Sequence, residues 1–168
     1  MKKFIIINGS FGVGKTAVGK RLCDILGRAA FIDGDWCLDI HPFVGNKETK
    51  AMAIDNILHM VRNYHACGEC DTVVLSWIIS ENNISKITAG VADLDFRLYY
   101  FVLVCDEKTL TDRWNNDTVN AWRNDENLKI SLSSMESDFK KRKSPYIIID
   151  TSDLSVDESA LKLIEKLS

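Results

Sequence analysis

Residues 9–16 constrain this chain more than any other stretch, because they follow the pattern G-x-x-x-x-G-K-T. The apolar run at residues 3–8 that precedes them is typical of a buried parallel strand. Residues 15–26 carry apolar side chains at helical spacing, and Gly27 is well suited to end that helix. A glycine-rich loop between a strand and a helix is the setting in which this pattern binds phosphate groups. The alternative, a chance glycine-rich turn, does not explain why strand, loop and helix agree.

The residue types of the loop predict its chemistry. Glycines let backbone N–H groups turn toward phosphate oxygens, and the helix N-terminus adds a partial positive charge. We expect Lys15 to reach the β- and γ-phosphates of ATP and the Thr16 hydroxyl to bind Mg²⁺. The residues predicted to bind the nucleotide are Gly9, Ser10, Gly12, Val13, Gly14, Lys15 and Thr16.

Composition narrows the class of protein. The 168 residues, 46% of them apolar, are expected to form one domain, residues 1–168. With a net charge of −3 and no long basic block, nucleic-acid binding is disfavoured, and no apolar run is long enough to span a membrane. The five scattered cysteines and the absence of a signal-peptide pattern favour a cytoplasmic protein with reduced thiols.

Apolar runs and helical patterns alternate along the whole chain. This alternation predicts an α/β fold in which helices cover both faces of a parallel sheet, with ligands at the carboxyl ends of the strands. Residues 116–130 are polar and rich in Asn and Asp, and are predicted to be mobile. Two capping boxes, Ser133 with Glu136 and Ser155 with Glu158, predict the starts of the last two helices. The strands are predicted at residues 3–8, 29–33, 72–79, 96–105 and 146–150, and the remaining helices at 48–65, 83–91 and 107–115.

A second signal, Asp33-Gly34-Asp35, follows the second predicted strand. One carboxylate at this position could hold the hydration shell of Mg²⁺, and the other could accept a proton from a substrate hydroxyl. The alternative is an ordinary Asp-Gly turn. Because the pair follows a phosphate loop by one helix, we favour the functional interpretation.

The phosphate loop and the Asp-x-Asp pair together resemble the P-loop small-molecule kinases, in particular shikimate, gluconate and adenylylsulfate kinases. The resemblance implies a three-layer sandwich with a five-stranded parallel sheet in the order 2-3-1-4-5. It also implies that Asp33 lies near magnesium and that Asp35 lies on the acceptor substrate. Gluconate kinases carry His-Pro soon after the pair, but His41-Pro42 comes three residues later here, so gluconate specificity is not supported.

Other stretches are similar to two related groups. Residues 8–12, 107–110 and 151–155 resemble the tunicamycin-resistance type of nucleotide-binding protein. Arg113 resembles the arginine that stacks on adenine in nucleoside monophosphate kinases, and Asp153 lies where related kinases contact the adenine.

A lid is the third feature that these kinases imply. Their second lid arginine is replaced here by Asp117, and Arg123, beside Trp122, is the candidate substitute. We therefore expect residues 116–130 to form a lid from which Arg113 and Arg123 stabilise the transferring phosphoryl group. The alternative for both arginines is a solvated surface position.

Two absences separate this chain from other classes. In the third predicted strand, Val73-Val74-Leu75 is followed by Ser76 instead of the acidic residue of motor ATPases. Mg²⁺ would therefore depend on Thr16, Asp33, water and nucleotide oxygens. No N-K-x-D sequence is present, which disfavours a guanine-specific switch.

Cys67 and Cys70 form a lone C-x-x-C, for which a metal or redox role is disfavoured.

These observations lead to one main hypothesis, an ATP- and Mg²⁺-dependent phosphotransferase in which Lys15, Asp35, Arg113 and Arg123 are the catalytic residues. Residues 36–66 are expected to bind a small hydroxyl-bearing acceptor, and Arg62 as their one arginine disfavours a nucleotide acceptor. The alternatives are a nucleoside or nucleotide kinase and a non-enzymatic nucleotide-binding or drug-resistance protein. The sequence leaves open whether the protein is a monomer or a homodimer.

Overall fold

The computed structural model describes residues 1–117 and 123–167, in which strands and helices alternate except that two helices follow one another before the last strand. Short 3₁₀ turns at Trp36–Leu38 and Phe139–Lys141 lie outside the regular elements. The strands are β1 (Lys2–Asn8), β2 (Ala29–Asp33), β3 (Thr72–Ser76), β4 (Phe96–Val104) and β5 (Tyr146–Asp150). The helices are α1 (Lys15–Leu26), α2 (Lys47–Ala66), α3 (Glu81–Gly90), α4 (Glu107–Asn116), α5 (Asp125–Ser137) and α6 (Val156–Ile164).

The five strands form one parallel sheet in the order β2-β3-β1-β4-β5, which confirms the fold that the resemblance implied. The central strand β1 is flanked by β3 and β4, and β2 forms one edge of the sheet. Because all strands run in the same direction, their carboxyl ends lie side by side. Asn8, Asp33 and Ser76, the last residues of β1, β2 and β3, therefore lie close together. Ser76 lies opposite both Ile7 and Asp33 in the strand register.

The sheet separates two apolar layers, because alternate strand residues point to opposite faces. Ile5, Ile7 and Val74 pack with α1 and α6, whereas Phe4, Ile6 and Leu75 pack with α2 and α3. Residues two positions apart share a face, so Ser76 points to the same side as Val74, the side of α1. The phosphate loop precedes α1, and the sheet therefore directs Ser76 toward the start of that helix.

The third strand is shorter than predicted. It ends at Ser76 instead of residue 79, since the backbone N–H and C=O of Ile79 bond to the side chain of Asn8 in place of a neighbouring strand. Trp77 and Ile79 are buried in the loop after Ser76. Because a buried loop is also apolar, its sequence could not be told from a continuation of the strand.

The helix start predicted at Ser133 is wrong. Asn124 caps α5 nine positions earlier by accepting a hydrogen bond from Asn127 N, and Ser133 lies inside the helix. Acidic residues Asp125 and Glu126 in the first turn favour this earlier start. Residues 125–130 of the segment predicted to be mobile are thus helical, while the part of that prediction that falls on 118–122 lies outside the described residues. The capping box of Ser155 and Glu158 is confirmed.

No helix in the described part of the chain combines the length and the apolar character needed to cross a membrane.

Candidate functional site

The loop between β1 and α1 has the backbone that its glycines allow. Gly9, Gly12 and Gly14 have φ values of 147°, 78° and 104°, which side chains rarely adopt. At Gly9 a Cβ atom would also lie 2.6 Å from the carbonyl oxygen of Leu103 in β4, so this glycine is required by contact as well as by conformation. The loop therefore turns tightly over the end of the sheet.

The side chain of Asn8 fixes the start of this loop. Its Oδ1 accepts hydrogen bonds from Gly9 N at 2.8 Å and Ile79 N at 3.1 Å, and its Nδ2 donates to Ile79 O at 2.7 Å. Asn8 is fully buried, so these bonds do not compete with water. The sequence reasoning missed this role, because Ile79 is distant along the chain and only the fold brings it to Asn8.

Lys15 lies against the loop that it follows. Its Nζ donates to Ser10 O at 2.9 Å. Burial lowers the pKa of Lys15 to about 8, opposed by the nearby charges of Asp35 and Asp33 and assisted by Arg123. The ammonium group is therefore mostly charged at pH 7. A bound phosphate would favour the charged form of Lys15. The contribution of Lys15 to phosphate binding is therefore greatest below this pKa and declines as the pH rises above it.

The two carboxylates of the Asp33-Gly34-Asp35 turn lie beside the start of α1. Asp33 Oδ2 accepts a hydrogen bond from Thr16 Oγ1 at 3.3 Å, and Asp33 Oδ1 accepts one from Asp35 N at 3.1 Å. Asp35 Oδ1 in turn accepts a hydrogen bond from Trp77 Nε1 at 3.0 Å. The structure thus brings together the loop helix and both predicted acidic residues, and it adds Trp77 as a partner of Asp35.

Gly34 allows Trp77 to occupy this position. A Cβ atom on Gly34 would lie 2.2 Å from Cγ of the indole, a distance at which the ring would have to move. The indole is buried, with 7% of Trp77 exposed, so it has little room to do so. The glycine between the two acidic residues is therefore needed for packing as well as for the turn.

The pKa of Asp35 is raised above its ordinary value. Loss of water around its carboxylate is the main cause, and the charge of Asp33 adds to it, while Lys15 and the Trp77 hydrogen bond act in the opposite direction. By surface area Asp35 is exposed, but its carboxylate faces enough protein to lose part of its hydration. A carboxylate with a raised pKa is a better proton acceptor than an ordinary surface aspartate.

The oxygen atoms around Thr16 suit a magnesium ion. Ser76 Oγ is buried and has no hydrogen-bond partner among residues 1–117 and 123–167. It points to the side of α1, as described above, and lies opposite Asp33 in the strand register. Hydroxyl and carboxylate oxygens, together with water, are the ligands that Mg²⁺ prefers. Thr16, Asp33 and Ser76 therefore form a donor set compatible with a hydrated magnesium ion.

The guanidinium group of Arg113 connects two loops. It donates to Val13 O at 2.9 Å, to Thr151 Oγ1 at 3.0 Å and to Thr151 O at 2.8 Å. A cavity of about 570 Å³ opens beside it and is lined by Ser152 and by residues of α4. Asp153 lies exposed in the same loop as Thr151. Arg113 thus lies next to the phosphate loop on the side away from β2.

Arg123 lies beside Gly12 of the loop. Its Nη2 forms an ion pair with Asp117 Oδ2 at 2.5 Å, and its guanidinium carbon lies 5.0 Å from the centroid of the Trp114 ring. A Cβ atom on Gly12 would lie 3.5 Å from Arg123 Nη1. Asp117, which stands at the position of the second lid arginine of nucleoside monophosphate kinases, therefore binds the candidate substitute. Trp122, the expected neighbour of Arg123, lies outside the described residues.

Helix α5 packs directly on the phosphate loop. Ser131 Oγ donates to Phe11 O at 2.6 Å, and Met135 is buried against Ser10. These contacts were not predicted, because the sequence reasoning started the helix too late. They position the segment that carries Arg123 over the loop.

The C-x-x-C pair lies away from these groups, after α2. Cys70 is buried and its thiol donates to Thr72 O, whereas Cys67 is exposed. Among the residues with described structure, no group of three or more His, Cys, Asp or Glu side chains could hold a metal ion.

A family model described as "AAA domain" matches residues 5–131. The chain belongs to the AAA domain family. The match covers the phosphate loop, both aspartates of the turn and both candidate arginines. No curated protein sequence matches this AAA domain protein significantly.

Solved structures share the fold of this AAA domain protein over nearly its whole length. A gluconokinase from Sinorhizobium meliloti has a TM-score of 0.69 at 17% identity, with 98% of this chain and 93% of that chain covered. APS kinase of Mycobacterium tuberculosis, in complex with AMPPNP and APS, has a TM-score of 0.69 at 20% identity, covering 99% and 97%. The tunicamycin resistance protein of Deinococcus radiodurans has a TM-score of 0.69 at 18% identity, covering 100% and 96%. The fold is therefore that of the P-loop kinases.

Proposed function

We propose that this protein is an ATP- and Mg²⁺-dependent phosphotransferase that moves the γ-phosphate to the hydroxyl group of a small molecule. One observation carries the proposal: Asp35, a carboxylate of raised pKa, is bound by the Trp77 indole beside the lysine of a phosphate loop. A protein that only binds nucleotide needs the loop and Lys15, but it has no use for a fixed proton acceptor beside them. The arrangement therefore favours transfer over binding alone.

In the proposed reaction, Lys15 and the loop N–H groups hold the β- and γ-phosphates. Thr16, Asp33 and Ser76 would hold a magnesium ion and its water, and the ion would neutralise phosphate charge. The acceptor oxygen forms a bond to the γ-phosphorus as the bond between that phosphorus and the β–γ bridging oxygen breaks. Asp35 takes the hydroxyl proton, and ADP leaves with the bridging oxygen.

The two arginines have different proposed tasks. Arg113 is bonded to backbone carbonyls of the phosphate loop and of the loop after β5, which supports a role in positioning the nucleotide base, together with Asp153. Arg123 lies beside Gly12 and in range of the Lys15 charge, which supports a role in stabilising the γ-phosphoryl group.

A nucleotide acceptor is disfavoured by the contacts of Arg62. Its guanidinium donates to Asp93 at 2.8 Å and 2.7 Å and to Gly90 O at 2.6 Å, so it stabilises the contact between α2 and α3. Residues 36–66 then offer no free arginine to bind an acceptor phosphate. This supports a hydroxyl-bearing acceptor over a nucleoside monophosphate.

We place the reaction in the cytoplasm. All five cysteines are free thiols, three of them buried, which supports a reducing compartment where ATP is abundant. The solved kinases of the same fold support the general class, while their identities of 17% and 20% carry over no substrate.

The proposal is tested by a coupled ADP-release screen over nucleosides, sugars, sugar acids and aminoglycoside-like compounds. We expect at least one acceptor to raise ADP release in a Mg²⁺-dependent manner. Lys15→Ala should abolish that signal and most ATP affinity, because it removes a charge-assisted contact to two phosphates. The matched control is Lys162→Ala, an exposed lysine on α6. ATP binding without acceptor-dependent ADP release from any compound would favour a nucleotide-binding protein.

A further inference from the structure

A second cavity lies at the sheet edge formed by β2, between α1 and α2, with a volume of about 510 Å³. Its apolar walls come from Phe31 in β2, from Trp36 in the turn after β2 and from Met60 in α2. Asp33 lines it as well. This volume is in the range that holds a ligand of drug size. Of the residues proposed to bind the nucleotide or magnesium, Asp33 is the one among those that line this cavity.

Asp33 connects this cavity to the proposed transfer site. One oxygen of its carboxylate accepts the Thr16 hydroxyl and the other accepts the N–H of Asp35, as described above. A molecule in the cavity would therefore have one end at the Asp33 carboxylate, which is bonded to the backbone of Asp35 in the same turn. The rest of the molecule would lie against the aromatic walls.

The segment that leads from β2 into α2 exposes large apolar side chains. Trp36 is 79% exposed and Phe43 is 72% exposed, whereas aromatic rings of this size are usually buried to a larger extent. Val44 and Met52 are each 40% exposed in the same stretch. Several large apolar side chains left open in one stretch of chain mark a binding surface more often than an ordinary surface.

The charges around the cavity do not suit an anion. Among the described residues that line it, Lys20 is the one lysine or arginine, and its Nζ lies 5.9 Å from the centroid of the Phe31 ring. Asp33 adds a negative charge to the same wall. An acceptor carboxylate or phosphate would be repelled by this charge and would find no arginine to bind it. A neutral molecule would lose little binding free energy in the same position.

We propose that the phosphoryl acceptor is an uncharged molecule with an aromatic or fused-ring body, which stacks on Trp36 and Phe31 and presents a hydroxyl group to Asp33 and Asp35. This inference rests on the proposed function, because it assigns the acceptor of the same reaction. Ring stacking supplies the affinity, and the carboxylates orient the hydroxyl.

The test uses two probes that differ only in the apolar group, phenyl β-D-glucoside and methyl β-D-glucoside, with gluconate as an anionic comparison. Their affinities for the complex with Mg²⁺ and AMPPNP are measured by calorimetry. We expect the phenyl glucoside to bind about tenfold more tightly than the methyl glucoside. Trp36→Ala should remove this difference and Trp36→Phe should largely keep it. Leu161→Ala, an exposed apolar residue on α6, is the control.

ADP release with the same three probes and ATP separates the two proposals. Faster release with the phenyl than with the methyl glucoside supports the inference. Equal or absent binding of the two glucosides, or release with gluconate alone, would overturn it and leave a phosphotransferase of another specificity. Trp36-dependent binding of the phenyl glucoside without ADP release from any of the three would overturn the assignment of this cavity to the acceptor, whereas the proposed function itself is tested by the wider acceptor screen described above.

Discussion

At the scale of single residues, the reactivity proposed for Asp35 depends on the indole of Trp77. The hydrogen bond from Trp77 Nε1 favours the charged carboxylate, while loss of water and the charge of Asp33 oppose it. Gly34 makes the contact possible by leaving room for the ring. A general base acts only when it is deprotonated, so these opposing effects set the lowest pH at which the enzyme would work.

Trp77→Phe should therefore shift the acid limb of the kcat/KM profile to higher pH. The substitution keeps an aromatic ring but removes the N–H donor, which raises the pKa of Asp35 further above its ordinary value. We expect a small shift in this direction, because the exposure of the carboxylate to water weakens the bond. In the Asp35→Asn background the same substitution should shift nothing, and an unchanged limb in the single variant would show that the indole is only a packing group.

How far single residues were predictable depends on where their partners lie in the chain. Lys15, Thr16 and Asp33 belong to short patterns whose chemistry is local, so the sequence alone predicts a role for each of them. The contacts of Asn8, Ser76 and Trp77 were not predicted, since each acquires them from a neighbour that only the sheet brings close. The contacts of Arg113 and Arg123 likewise follow from the fold and not from their spacing.

At the scale of elements, the side chain of Asn8 connects the end of β1 to the loop after β3. It satisfies one N–H of Gly9 and both backbone groups of Ile79 in a buried position. Buried backbone groups without partners are costly, so this one side chain supports the whole strand-to-helix turn. The same bonds end β3 earlier than its apolar sequence predicts.

Asn8→Ala should lower the free energy of unfolding by about 2–4 kcal/mol, because it leaves the buried N–H groups of Gly9 and Ile79 without an acceptor. The carbonyl of Ile79 keeps only the longer bond from Arg142 Nη2 at 3.4 Å. Urea denaturation monitored by circular dichroism measures the change. Asn63→Ala is the matched control, an exposed residue on α2 where alanine is a good helix former. Equal unfolding midpoints for Asn8→Ala and the wild type would show that water or a relaxed loop replaces these bonds.

At the scale of the whole molecule, the alternation of strands and helices predicted the parallel sheet and the edge at which the site lies. The strand order came from the resemblance to P-loop kinases, since periodicity alone does not set the order of strands. The cavity beside β2 could not be predicted, because it depends on how far α2 and the Trp36 segment stand from the sheet. The start of α5 was predicted too late, because the first turns of this helix lie in a polar stretch without the apolar spacing that indicates a helix.

The central claim is that Asp35 accepts the proton from the acceptor, and the comparison of Asp35→Asn with Asp33→Asn tests it most directly. Asparagine keeps the shape of the side chain and can still bind a hydroxyl, but it cannot take the proton. Asp35→Asn should leave the affinity for ATP with Mg²⁺ nearly unchanged and lower kcat by about 10²–10⁴-fold, the usual effect of losing a general base. Asp33→Asn should instead raise the Mg²⁺ concentration needed for half-maximal turnover. Turnover of Asp35→Asn at the wild-type rate would contradict the claim and leave Asp35 as a residue of the turn alone.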